Sequence, residues 1–193
     1  IINHKKFNLY ESRLDYAFYL SISKSNSEIS KKLAELKDIN VNYTSNWPSL
    51  NHKNQMIHYS AVNVKDLLST PLIQAANNSN DELFDLVINH QSFNPIKSFI
   101  NEAIYILITK NDFNNFRKLM KIANKNISII NKYMPTFLSY TVRNGFLDLT
   151  KEILNNEKFD SKQFDILNAF ISSFNNDHHP FLDIVYRKVN LFG

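Results

Sequence analysis

For chemistry this chain offers 6 His, 18 Asp and Glu, and no Cys. His178-His179 invites a metal. However, neighbouring positions on a helix point about 100° apart, and no third ligand stands at metal spacing. Asp177 ahead of Pro180 reads instead as a helix cap and first turn. The carboxylate pair Asp81-Glu82 falls at an expected helix start, where the backbone dipole favours negative charge. There is no Gly-rich phosphate loop, no G-x-S-x-G and no H-E-x-x-H. The lack of Cys removes the thiolate nucleophile, the thiolate metal site and any disulfide frame. Three triplets, Asn42-Tyr43-Thr44, Asn77-Asn78-Ser79 and Asn126-Ile127-Ser128, match the glycosylation acceptor, and in so Asn-rich a chain they are expected by chance. No catalytic residues, cofactor, metal or small-molecule substrate are therefore expected.

The elements come next. The 193 residues are 44% hydrophobic and 21% charged, a globular balance. There are only 2 Gly, whereas sandwiches, barrels and nucleotide-binding folds spend Gly on turns and phosphate loops. Asn, by our count 28 residues, is the residue that best replaces Gly at left-handed turns. The expectation is an all-α protein of short helices joined by Asn- and Ser-rich turns. The net charge of +4 comes from dispersed lysines rather than blocks, so nucleic-acid binding through Lys5, Lys6, Lys24, Lys31, Lys32 and Lys37 is a minor reading. The longest apolar run, residues 103–108, is far below the ~20 residues of a membrane span. No signal peptide is visible, and the Ile-Ile start is that expected of a fragment of a longer chain.

A period of about 32 runs through the chain. Anchors at Ala17, Pro71, Ala103, Phe137 and Ala169 are each followed eight residues later by a turn former: Ser25, Ser79, Asn111, Gly145 and Asp177. A second apolar cluster follows, then a small motif near plus 22, such as Asp38-Ile39-Asn40 or Ser92-Phe93-Asn94. Each repeat reads as a first helix of about eight residues, a turn, and a second helix of about ten. Helices this short are marginal alone, so each must bury its face against the neighbouring repeats.

Thr70-Pro71-Leu72-Ile73-Gln74-Ala75-Ala76, with Glu82-Leu83-Phe84 and Leu86-Val87-Ile88, resembles the ankyrin repeat. Arg143-Asn144-Gly145-Phe146-Leu147-Asp148-Leu149 is similar to its central turn, and Asp38-Ile39-Asn40-Val41-Asn42 to its tail. Pro71 fits a first helical turn, Thr70 its cap, and the two Ala a close helix approach. The resemblance implies a single domain over residues 1–193, an α-solenoid with short finger hairpins. Its repeats lie at about 10–42, 70–101, 102–135, 136–167 and 168–193, and an inserted loop at about 43–69 carries Trp47, His52, His58 and Tyr59. Departures are plain: Gly at plus 8 survives once, and Leu107-Ile108, Thr141-Val142 and Ser173-Phe174 replace the Ala pair.

The resemblance further implies a monomeric module that binds a partner protein through a concave groove and finger loops. The variable contact positions map onto Ser23 and Lys24, Asn77 and Asn78, Thr109 and Lys110, Arg143 and Asn144, and Asn175 and Asn176. On the fingers they map onto Asp66, Leu67 and Ser69, onto Ser98, Phe99 and Asn101, and onto Lys132, Tyr133 and Pro135. Phe99 and Tyr133, each four residues before an anchor, are the expected aromatic anchors, with Trp47 as the reserve. The alternative is the targeting or scaffold portion of a larger enzyme. Degenerate arrays of this composition are similar to those of intracellular bacteria, whose effectors act in a host cytoplasm, and of protists. A cytoplasmic location, in the producing cell or a host, follows as an expectation.

Overall fold

Each of the four described helical pairs turns on one residue held at positive φ. The computed structural model describes residues 13–45, 69–125, 134, 137–158 and 184. The described helices are α1 (Leu14–Ser23), α2 (Ser27–Ala34), α3 (Pro71–Asn78), α4 (Asp81–Ile88), α5 (Ile100–Thr109), α6 (Phe113–Ala123) and α7 (Leu147–Leu154). Residues 137–143 are helical as well. The chain divides into two compact bodies, with the boundary between Ile106 and Leu107. The described part is thus all-α. Its extended pairing is one isolated bridge, Ser45 to Ser69.

The four described plus-8 residues all adopt the left-handed conformation: Ser25 at φ 53°, Ser79 at 51°, Asn111 at 59° and Gly145 at 74°. Gly145 sits between two helices, as its spacing predicts. Three of the turns close identically. The left-handed residue donates to the carbonyl three back, as Ser25 does to Ile22 (2.9 Å), Asn111 to Ile108 (3.1 Å) and Gly145 to Val142 (3.2 Å). The next residue reaches five back, as Asn26 does to Ser21, Asp112 to Leu107 and Phe146 to Thr141, each at 2.9 Å. This pair of hydrogen bonds satisfies the carbonyls at a helix end. That same next residue then caps the following helix. Asn26 accepts from the Ile29 amide, Asn80 from Leu83 and Asp112 from Asn115. Phe146 has no side chain able to do so, and α7 starts without a side-chain cap.

Helix lengths depart from expectation. The first helices α1 and α5 have 10 residues, and of the second helices only α6 is longer than 8. The start signal explains this. Thr70 accepts from the Ile73 amide at 3.3 Å, and Pro71 at the first helical position sets the beginning of α3. Lacking that Pro, α1 and α5 begin one turn earlier, behind Arg13 (φ 47°) and Phe99 (φ 54°).

In the first body α1 packs on α2 and α3, α3 on α4, and α2 on α4. First helices adjoin first helices and second adjoin second. Ala75 and Ala76 are each 1% exposed between them, so small side chains let the helices approach. Phe18, Ile22, Leu33, Leu72, Leu83, Phe84 and Val87 fill the rest of this core. In the second body Leu119, Leu138, Val142, Leu149, Ile153 and Leu154 do the same.

Within a pair, positions plus 4 and plus 13 change together. In the first repeat they are Ser21 and Ser30, with oxygens 2.8 Å apart. In the fourth they are Thr141 and Thr150, 3.0 Å apart. Each hydroxyl also reaches a carbonyl of its own helix, Phe18, Asn26, Leu138 or Phe146. Two protons serve three short contacts in each pair, so one contact always lacks a proton. The second and third repeats put Ala75 with Phe84 and Leu107 with Phe116 at these places, all buried. The layer accepts a polar pair or an apolar pair, and no mixed pair occurs among the described repeats.

Two outcomes are expected from urea unfolding. Gly145→Ala places a Cβ at positive φ and should cost about 1–2 kcal/mol, whereas Ser79→Gly removes that penalty and should be neutral or mildly stabilising. Ala76→Phe should overpack the α1–α3 layer and cost about 1–3 kcal/mol; an unmoved midpoint would refute the close packing there.

Candidate partner-binding surface

The residues ending the first helices hold the expected contact positions. Lys24, Thr109, Lys110, Arg143 and Asn144 are exposed, while Ser23, Asn77 and Asn78 are partly buried. Asn78 is already employed, since its amide donates to the Ile22 carbonyl at 2.7 Å and lies 3.4 Å from that of Ser23. It ties the end of α3 to the end of α1. The Asn144 amide donates to the Tyr140 carbonyl at 2.8 Å. Burial of Tyr140 pushes its phenol upward, because the charged form is poorly solvated there. Trp47, Lys132, Tyr133, Pro135, Asp66, Leu67, Asn175 and Asn176 lie outside the described residues, as do His178-His179 and residues 46–68 of the insertion expected at about 43–69.

The loop from His90 to Phe99 is bound on every side. Asn42 is its centre. The Asn42 amide donates to the Ser92 carbonyl at 2.6 Å, and its carbonyl oxygen accepts from the Asn94 amide and the Ser98 hydroxyl, both at 2.7 Å. The Asn94 side chain accepts from the amides of Ile96 and Lys97. Thr70 Oγ1 donates to the Ser98 carbonyl at 2.9 Å. Ser98 and Ser69, expected on finger surfaces, are buried instead: the bonds to Asn42 and Thr70 turn Ser98 inward, and Ser69 is held by the Ser45 backbone and by Gln74. The same bonds leave Ile96 59% exposed, with Phe99 half-buried three residues on.

His90 and Ser92 form the one Ser–His contact among the described residues. The Ala34 carbonyl, 3.2 Å from Nε2, can only accept, so Nε2 carries the proton. Nδ1 then accepts from the Ser92 amide at 3.2 Å, and the Ser92 hydroxyl donates to the Ile39 carbonyl at 3.0 Å. Ser92 Oγ also lies 2.9 Å from Nδ1, but the far side of the ring meets the Ala34 carbonyl rather than a carboxylate, so among the described residues the pair lacks the third group that orients a catalytic base. It fastens the loop to the preceding repeat. His90 carries no signal in the sequence, whereas Asn42 belongs to a recurring tail motif that could have marked it.

At the root of the insertion, Ser45 and Ser69 exchange backbone bonds of 2.8 and 3.2 Å. Gln74 donates to Ser69 Oγ at 2.7 Å and lies 3.3 Å from the Tyr19 hydroxyl. The rings of Tyr16, Tyr19 and Tyr43 stand 6.1–6.2 Å apart beside it, within the range of favourable aromatic pairs.

Ion pairs link successive second helices. Lys31 meets Glu82, and its hydrogen bond lowers the Glu82 carboxyl below its ordinary range. Arg117 forks onto Glu152, with Nε 2.9 and 3.1 Å from the two oxygens, and that bonding raises the guanidinium further. The Lys32–Glu28 pair lies along α2 itself. All are exposed, so each contributes little to stability.

Among the described residues no three His, Asp or Glu side chains gather as metal ligands, and no helix is long and apolar enough to cross a membrane. No protein-family model, curated protein or solved structure matches the chain.

Asn42→Ala should strand the Asn94 amide and the Ser92 carbonyl. The expected cost is about 1–3 kcal/mol, with faster hydrogen exchange confined to residues 90–99. Unchanged protection there would show that the loop does not depend on Asn42.

Proposed function

We propose that the chain is an ankyrin-type repeat array that binds a partner protein and performs no bond-making of its own. The observation that carries this reading is the four left-handed turns at Ser25, Ser79, Asn111 and Gly145, which recur at the period of the sequence. The Thr70-Pro71 start of α3 and the two-layer stack of α1 to α4 add to it. In such an array the contact set is Asn77, Asn78, Thr109, Lys110, Arg143 and Asn144, with Phe99, Lys132 and Tyr133 on the fingers. Asn78 belongs to this set while its amide also ties the end of α3 to the Ile22 and Ser23 carbonyls. The aromatic residues anchor the partner, and the basic residues raise the association rate toward an acidic or amphipathic segment. Trp47 on the insertion is the reserve anchor.

A partner captured from a eukaryotic lysate supplies the assay. Phe99→Gly removes the ring and also relieves the positive φ. The expected result is an affinity loss of about 1–3 kcal/mol with an unfolding midpoint that holds or rises. A lowered midpoint with unchanged affinity would make the Phe99 ring a packing element and would move the test to Tyr133 and Trp47.

A further inference from the structure

The outer side of the first described repeat is built like an inner side. In the second repeat, positions plus 3 and plus 11 look back at the first. Gln74 lies 3.3 Å from the Tyr19 hydroxyl of α1, and Glu82 meets Lys31 of α2. Position plus 12 is buried in each later described repeat, as Leu83, Asn115 and Leu149. The same three places in the first repeat hold Leu20, Glu28 and Ile29. Leu20 is 38% exposed and Ile29 48%, two of the three large apolar side chains exposed among the described residues. Glu28 pairs with Lys32 of its own helix. A repeat that ends an array needs a polar outer face, and this face is apolar where the later repeats are covered.

A second observation says what belongs there. Ile1-Ile2-Asn3-His4-Lys5-Lys6-Phe7-Asn8 repeats Val87-Ile88-Asn89-His90-Gln91-Ser92-Phe93-Asn94, with Ile, Asn, His, Phe and Asn at matching places, and Ser12 matches Ser98. The register is that of the array, since Phe7 precedes the anchor Ala17 by ten residues, as Phe93 precedes Ala103. Arg13, the first described residue of the stretch, has φ 47°, and its counterpart Phe99 has φ 54°. Residues 87–99 close the second helix of one repeat and lead into the first helix of the next. We propose that the outer face of α1 and α2 is a docking surface for one more repeat of the same kind, which residues 1–8 close. Its occupant is a pair of short helices with apolar side chains for Leu20 and Ile29 and a cation at plus 14 for Glu28, as Lys31 serves Glu82. The match of residues 1–8 favours this occupant over a second copy of the chain or an unrelated protein, neither of which would require it. The inference rests on the array reading above and not on the contact set.

The test extends the full chain. Residues 13–32 are grafted directly ahead of Ile1, which puts Ile1 at plus 16 of a complete repeat and Lys31 of the graft opposite Glu28. The graft carries Leu20→Gln and Ile29→Gln, so that the new end is polar. A control graft has two extra Ala at the junction, which turn the helix by about 200°. The in-phase graft should raise the urea midpoint, steepen the transition because more surface is buried, and slow hydrogen exchange at least about tenfold over residues 14–34 of the parent chain. The control should do none of these. Leu20→Gln with Ile29→Gln on the parent face should abolish the gain. Circular dichroism of that variant without a graft should match the parent, since both side chains are exposed. No gain in phase, an equal gain out of phase, or a gain that survives the parent-face substitutions would each overturn the proposal. Sedimentation of the ungrafted chain should show a monomer. A dimer lost on Ile29→Gln would seat a second copy on this face and overturn it equally. The array itself is probed by Ala76→Phe, so the expected loss there beside a failed graft removes the extra repeat alone.

Discussion

Helices of eight to eleven residues pack as antiparallel pairs here through connections of two or three residues, and in the four described pairs the reversal rests on one left-handed backbone. That conformation costs an L-residue roughly 1–2 kcal/mol, yet the chain carries it at Ser25, Ser79 and Asn111 as well as at Gly145. What offsets the cost is the bonding it permits. In three turns the left-handed residue and its successor both donate back to the helix just ended. In the first three pairs the successor also caps the helix about to begin. A three-residue connection thereby satisfies groups at two helix ends at once, so that helices too short to persist in water can be packed side by side.

The same logic explains so much Asn. A carboxamide is short enough to tolerate the left-handed region and carries both a donor and an acceptor. Asn111 supplies the turn conformation, Asn26 and Asn80 supply caps, and Asn78 ties one first helix to the next. Asn42 goes furthest, standing in for a stretch of strand by bonding three groups of the following loop. A Gly in these places would fit the backbone but would bond nothing through its side chain. The chain therefore holds its loops with side-chain amides where regular hairpins would use backbone pairing, and the isolated Ser45–Ser69 bridge is the residue of such pairing among the described elements.

Much of this was legible from residues alone, because the turn chemistry is local. The period, the left-handed positions and the Thr70-Pro71 start of α3 depend on a few adjacent side chains. Helix lengths were not legible, since the early starts of α1 and α5 follow from an absent Pro rather than from a positive signal. Nor was the bonding of the loop at 90–99. Its partners come from Asn42 and Thr70, dozens of residues earlier, and nothing in His90 or Ser92 announces that they face Ala34 and Ile39. The inward turn of Ser98 escaped for the same reason, because a short polar residue near a loop reads as exposed until its distant acceptor, here Asn42, is known.

The backbone at Phe99 sharpens how the finger residue should be read. A bulky side chain at positive φ is a genuine outlier, and such outliers cluster at functional sites. Arg13, however, stands at the same place, four residues before its anchor, with nearly the same φ. Both residues precede a ten-residue first helix that lacks Pro at its start. The left-handed backbone therefore has a structural source shared by two unlike side chains: it is how the chain enters a first helix one turn early. What the fold asks of this position is a conformation, which Gly, Asn or Asp would meet at lower cost. The case for Phe99 as an anchor accordingly rests on the side chain that remains once the backbone is accounted for. That side chain is a partly buried aromatic three residues from the exposed Ile96, on a loop held by Asn42, Asn94 and Thr70. An apolar group displayed on a loop already fixed in place loses little entropy when a partner covers it.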